Sequence, residues 1–484
     1  MGPYVRRRRG RLPAVLALAG LLLLGLLFVP ECDDCYFVYW TFDSVKDWLL
    51  TRPVTEGATI VGVPENGRYL GNLLGVLQGK LYFVPVVGPV VRGLLMGGGL
   101  FALVVLLARF ARRGPVSLGE ALSLALMLVL LAPRGVWQEG FSWGAGFINY
   151  LLPMLGILVL SRLLTRQEPA PWPLVGVLSF LCCLFLETAT IFLAAAGCVA
   201  DLLLRRSRQR KPALALWLGS WLGALVMFTA SGYRNGTNAD RRIDLSLILE
   251  HFRTIVAETL VFPAAAALLI SFLLVWLVSR RRGLWRPAAA VLVPLHLLQL
   301  WFALENWLGR PRYSWLVVGV GLALAAVWCF LLVQKGESAP IWGAVLSIGL
   351  FAGPLLFVTP IGARNFLPTY VLLVLVAVLL YGGAREEGLG AVTRLAVPMS
   401  GIALALLVGI YGSNCLAYHQ RLTYAQGQAA TGAEQLTLPL LPFSAWAINE
   451  NPGKGDISYL VYRETPWDVS FTFVPWEEYS GPLS

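Results

Sequence analysis

Residues 6–40, RRRRGRLPAVLALAGLLLLGLLFVPECDDCYFVYW, join a basic cluster, an uninterrupted apolar run and an acidic pair end to end. As a helix, the apolar run from Leu12 to Val29 is close to the length needed to cross ~30 Å of hydrocarbon. No small-residue cleavage pattern precedes Glu31, so the run reads as an uncleaved signal anchor. Basic residues flanking a span stay in the cytoplasm, which puts Arg6 to Arg9 and Arg11 inside and the acidic pair on the opposite face.

The rest of the 484-residue chain extends this reading. With 57% hydrophobic and only 13% charged residues, it cannot cover itself with a solvated surface, and apolar runs of near-spanning length recur along it. The expected fold is an all-α polytopic membrane protein of about thirteen transmembrane helices. The further spans fall at 88–109, 118–133, 147–164, 172–186, 188–204, 213–230, 259–279, 288–304, 314–333, 341–358, 366–382 and 395–412. A net charge of +11 raises nucleic acid as a partner, but the basic residues cluster between apolar runs, as in RRSRQRK (205–211) and SRRRGLWR (279–286). The positive-inside bias explains that pattern without nucleic acid, and these clusters share the cytoplasmic side with the N-terminus.

Between the first two spans lies a polar stretch, 31–80, expected outside the cytoplasm. Its paired Asp33 and Asp34 are the candidate catalytic groups. Neighbouring carboxylates push their pKa values apart, leaving one free to act as a base while the other orients. The competing reading is that acidic residues after a span only mark the water boundary. Cys32 and Cys35 flank the pair at CxxC spacing, open to a disulfide, inert thiols, a redox pair or half a metal site. Further on, ENGRYLGNLLGVLQGK (65–80) places apolar residues at 70, 73, 74 and 77, predicting a short amphipathic helix on the membrane surface.

The same face collects WQEGFSWGAGFINY (137–150), Glu187, SGYRNGTNADRRID (231–244), ENWLGRPRYSW (305–315) and GARNFLPT (362–369). Arg234, Arg310, Arg312 and Arg364 run against the positive-inside trend there. A guanidinium fork suits phosphate, although pairing with Asp33, Glu139, Glu187 or Glu305, or contact with lipid headgroups, would also account for them. Past Ser413 the chain carries seven acidic residues against three lysines and arginines. DISYLVYR (456–463) and DVSFTFVPW (468–476) alternate as strands, predicting a hairpin in a small extracytoplasmic cap. The expected division is a transmembrane domain over 1–412 and a tail domain over 413–484.

In combination, CDDCYFVYW (32–40) after the first span, NGRYLGN (66–72), WGAGFINYLLP (143–153), GYRN (232–235) and ARN (363–365) resemble the membrane glycosyltransferases of the GT-C fold, in particular a bacterial branch grouped with them. The resemblance covers nearly the whole chain. It implies inverting transfer of a hexosyl or pentosyl unit from a polyprenyl-phosphate-linked donor to a cell-envelope glycan, lipid or protein acceptor. By it, Asp33 or Asp34 is the general base, with Arg68, Glu139, Trp143, Asn149, Glu187, Arg234, Asn235, Arg310, Arg312, Arg364 and Asn365 binding substrate. Trp137, Trp143 and Tyr150 are candidates to stack on sugar faces. No cofactor is expected beyond the lipid-linked donor, and a divalent metal stays open.

The chain holds no HExxH, Walker A or nucleotide-sugar motif, which leaves cytosolic-donor chemistry unsupported. Two rival classes remain: a transporter, which needs ionisable residues at the midplane of its spans, and a noncatalytic scaffold handling envelope polysaccharide or lipid-linked intermediates.

Overall fold

The computed structural model describes residues 11–37, 54–56, 59–62, 67–82, 84–111, 116–230, 233, 245–336, 339–433, 435–448 and 470–481. The chain is a multi-pass, all-α membrane protein. Among the described residues, nine helices are long and apolar enough to cross a bilayer, and two bent pairs, 118–130 with 134–141 and 245–261 with 264–279, raise the number to as many as eleven. Two shorter apolar helices, Pro13–Leu27 and Trp172–Cys182, also fall on expected apolar stretches.

The helix over 363–386 is the axis of the bundle, with 89% of its apolar window buried inside the protein. Its sequence LPTYVLLVLVAVLLY is apolar on every side, as a helix surrounded by other helices must be. Both Tyr370 and Tyr381 are fully enclosed, and the Tyr370 hydroxyl donates to the Leu128 carbonyl. This buried helix carries Arg364 and Asn365 in the turn at its start.

Three departures from expectation matter. The last helix runs unbroken from Ala391 to Ala430, so the span end expected at 412 falls inside it. At ~1.5 Å per residue its 40 residues exceed the bilayer thickness, and its final turns become a post for the tail. There Asn414 exchanges hydrogen bonds with the Phe443 backbone at 3.1 and 2.9 Å, and Arg421 donates to the Pro439 carbonyl at 3.2 Å. The expected strand near 469–473 forms over Ser470–Val474, but it pairs in parallel with Gln435–Pro439. Its expected hairpin partner, 456–463, lies outside the described residues.

The surface helix forms over Tyr69–Tyr82 with a different face buried. Gly71, Gly75 and Gly79 face inward at four-residue spacing, while Leu77 is 44% exposed. A Cβ at Gly71 would sit 2.1 Å from Asn149 Oδ1, and one at Gly75 2.7 Å from Phe37 Cε2. The helix therefore docks by close backbone approach, which only glycine permits.

Candidate functional site

Four segments meet at one end of the bundle: the short helix Asp33–Phe37, the 69–82 helix, the WGAG turn at 143–146, and the turn Ala363–Phe366. Cys32 adopts a left-handed backbone (φ 47°), and the Asp34 amide donates to the Glu31 carbonyl at 3.0 Å. That tight turn sends the two adjacent aspartates in different directions.

Asp34 is buried at 1% exposure and fully engaged. One oxygen accepts from the Ala145 amide at 2.8 Å and Gln78 Nε2 at 3.3 Å; the other accepts from the amides of Gly144 at 3.1 Å and Glu31 at 3.4 Å. It thus caps, from a distant part of the chain, the start of the helical segment 144–164, satisfying amides that have no partner within that helix. Burial pushes its pKa up to about 7 against the pull of three backbone amides. A Cβ at Gly144 would lie 1.6 Å from Gln78 Nε2 and 2.8 Å from Asp34, so this join requires glycine.

Asp33 is free of that structural work. Its described hydrogen bond is a long one from Cys32 Sγ, at 3.8 Å. Burial raises its pKa, and the positive charges of Arg364 and Arg68 oppose the rise. A partly desolvated carboxylate facing two guanidinium groups has the character of a base whose proton affinity is raised above that of an ordinary aspartate.

Each of those guanidinium groups is held by a glutamate. Arg68 grips Glu187 through Nε at 3.2 and 3.1 Å and Nη2 at 2.9 Å, and Tyr233 donates to the same carboxylate at 2.6 Å. The preceding Gly67 has φ 64°, and a Cβ there would meet the Met227 carbonyl at 2.3 Å, which explains the NGR pattern locally. Arg364 meets Glu139 Oε2 with both its backbone amide and Nη1, each at 3.2 Å, while its guanidinium carbon lies 5.3 Å above the Trp143 ring. Tyr150 donates to Asn365 Oδ1 at 3.1 Å and lies within electrostatic reach of Arg68 and Arg364.

The fold therefore gathers Asp33, Asp34, Arg68, Glu139, Trp143, Glu187, Arg364 and Asn365. Asn149 joins them in a packing position, its Nδ2 donating to the Ala145 carbonyl at 2.9 Å and its Oδ1 against Gly71. Trp137 is a correction: it is fully buried, donates to the Leu130 carbonyl at 3.2 Å and packs on Phe141 and Tyr411, so it has no face for a sugar. Arg310 and Arg312 are exposed, and Arg312 pairs with Glu305 at 3.1 Å. Arg234 and Asn235 lie outside the described residues, as does the Cys35 side chain. Among the described residues, no group of three or more His, Cys, Asp and Glu could hold a metal ion.

Sequence reasoning overlooked several participants. Glu31, 7% exposed, accepts from the Ile448 amide at 2.5 Å and ties the tail to the acidic turn; burial raises its pKa to about 8. Arg134 and Gln138 hold the same tail segment through the carbonyls of Ala445 and Ala447. Glu139 and Asn149, both named from the sequence, each sit on a π-helical turn, at Trp137–Phe141 and Phe147–Leu151. Such turns often accompany functional sites but have no sequence period that betrays them.

No family model, curated protein or solved structure matches the chain.

Proposed function

We propose that the chain is a membrane glycosyltransferase that takes a sugar from a polyprenyl-phosphate-linked donor and passes it to a cell-envelope acceptor outside the cytoplasm, with Asp33 as general base. The observation that carries this reading is the division of labour in the acidic pair: Asp34 is consumed by four donors, whereas Asp33 is left facing Arg68 and Arg364.

In this reading Asp33 accepts the proton of the acceptor hydroxyl as its oxygen attacks the anomeric carbon. The carbon–oxygen bond to the lipid phosphate breaks, and the bonding pair leaves with the phosphate from the opposite face, inverting the centre. Arg364 and Arg68, preorganised by Glu139 and Glu187, offset the negative charge growing on that phosphate. The proposed topology has thirteen spans in the plasma membrane, the N-terminus in the cytoplasm, and the acidic loop and tail outside. The tie between Glu31 and Ile448 supports placing loop and tail on one face.

The test uses the full chain reconstituted in vesicles with a polyprenyl-phosphate-linked radiolabelled hexose or pentose and envelope membranes as the acceptor source. Asp33→Asn should lower transfer by about 10²–10⁴-fold with the melting temperature preserved. Full transfer by the folded Asn variant would sink the proposal and favour a scaffold.

A further inference from the structure

A groove of about 640 Å³ runs between the helices Trp172–Cys182 and Arg210–Phe228, on the outside of the bundle and away from the candidate site. The two helices approach closely because glycine meets backbone: a Cβ on Gly219 would lie 2.3 Å from the Gly176 carbonyl oxygen and 2.3 Å from Ser179 Oγ. Gly176 and Gly219 form the floor. Larger side chains rise beside them as walls, Trp172, Val177 and Phe180 from one helix and Leu214, Leu218 and Leu222 from the other. Val177, Leu218 and Leu222 are each more than half exposed. At ~1.5 Å per residue the wall from Lys211 to Leu222 is about 16 Å long, the depth of one leaflet of a ~30 Å hydrocarbon core.

The groove is apolar along its length and charged at one end, where Lys211 stands opposite Trp172. Buried Gln209 fixes that end: it accepts from the Ala170 amide at 3.1 Å and donates to the carbonyls of Arg166 and Glu168 at 2.9 and 2.8 Å, clamping together the loops that lead into the two helices. The chain around this mouth, 165–171 and 201–211, carries Arg166, Arg205, Arg206, Arg208, Arg210 and Lys211 against Glu168 and Asp201. Among the described residues Asp201 pairs with Arg205 at 3.6 Å, and no carboxylate reaches Lys211. The other ends of both helices reach the candidate site: the Leu184 carbonyl accepts from the Leu70 amide at 3.1 Å, and Gly67 packs on the Met227 carbonyl. The mouth therefore opens at the opposite membrane face, which the proposed topology makes cytoplasmic. A leaflet-deep apolar trough ending at an indole and uncompensated positive charge is complementary to an acyl chain under an anionic headgroup, whereas a zwitterionic headgroup brings a cation of its own. We propose that this groove is a binding site for an anionic phospholipid, which lays an acyl chain between the walls and sets its phosphate at Lys211, with Arg208 and Arg210 alongside. The site stands whether or not the chain transfers sugar.

Photocrosslinking tests it on the full chain in phosphatidylcholine vesicles that contain a small, fixed fraction of phosphatidylglycerol carrying a photoreactive group midway along one acyl chain, with the labelled residues mapped by mass spectrometry. Labelling should concentrate on Val177, Phe180, Leu218 and Leu222, and should fall when unlabelled phosphatidylglycerol replaces part of the phosphatidylcholine. Lys211→Gln should reduce it about fivefold, the scale of one lysine at an anionic lipid surface. Leu218→Trp puts its added bulk into the groove at a half-exposed position, so it should remove the labelling with the melting temperature preserved. Labelling spread evenly over other outward-facing positions such as Val293, Leu297 and Trp301 would mean bulk lipid only and overturn the site. Failure of phosphatidylglycerol to compete, or an undiminished signal in either variant, would overturn it equally. Competition by polyprenyl phosphate but not by phosphatidylglycerol would assign the groove to a different lipid and refute the proposal.

Discussion

Adding one methyl group at Gly362 should disable Arg364 without touching any charge. The residue is extended (φ −110°, ψ 167°), a backbone that alanine adopts readily, so the substitution acts through space alone. A Cβ there would lie 2.4 Å from Glu139 Oε2, 3.3 Å from Glu139 Cδ and 3.2 Å from Arg364 Nη1. Glu139 Oε2 must shift, which disturbs both of its 3.2 Å contacts with Arg364. Hydrogen bonds to charged groups contribute about 1.5–3 kcal/mol each. If one such contact orients the guanidinium only in the transition state, Gly362→Ala should slow transfer about 10- to 100-fold. The assay is transfer rate together with melting temperature, in a double-mutant cycle with Glu139→Ala. Once Glu139 is truncated, the methyl has no carboxylate to displace, so Gly362→Ala should cost nothing further in that background. Additive losses, or a wild-type rate in the single variant, would refute the claim that Gly362 serves by making room for this ion pair.

Two further expectations concern pH. Because burial raises the pKa of Asp33 above its ordinary 3.8, a base at this position predicts a transfer rate that climbs with pH along a limb displaced above 3.8, and a limb at or below that value would remove Asp33 from the role. Asp34 and Glu31, raised to about 7 and about 8 in the folded chain from 3.8 and 4.5, bind protons more tightly folded than unfolded. Their contribution to stability is therefore greatest below about pH 4 and is lost as pH rises toward 8. The melting temperature of the purified chain should fall across that interval and fall less in the Asp34→Asn, Glu31→Gln double variant, and parallel profiles would contradict the assignment.

The sequence by itself determined the membrane class and where the apolar segments lie, because apolar length and the positions of charge are local properties that a bilayer reads directly. It also determined that glycines recur in NGRYLG and WGAG, though not which contacts demand them. Tertiary structure alone decided between the two aspartates: they are chemically identical neighbours until Gly144, Ala145 and Gln78, more than forty residues away in sequence, claim one of them. It likewise decided that Trp137 belongs to the core while Trp143 underlies Arg364. The inward glycine face of the 69–82 helix was hidden for the same reason. Hydrophobic periodicity reports what avoids water, whereas docking within a membrane turns on how closely backbones can approach, and only the assembled partners fix that distance.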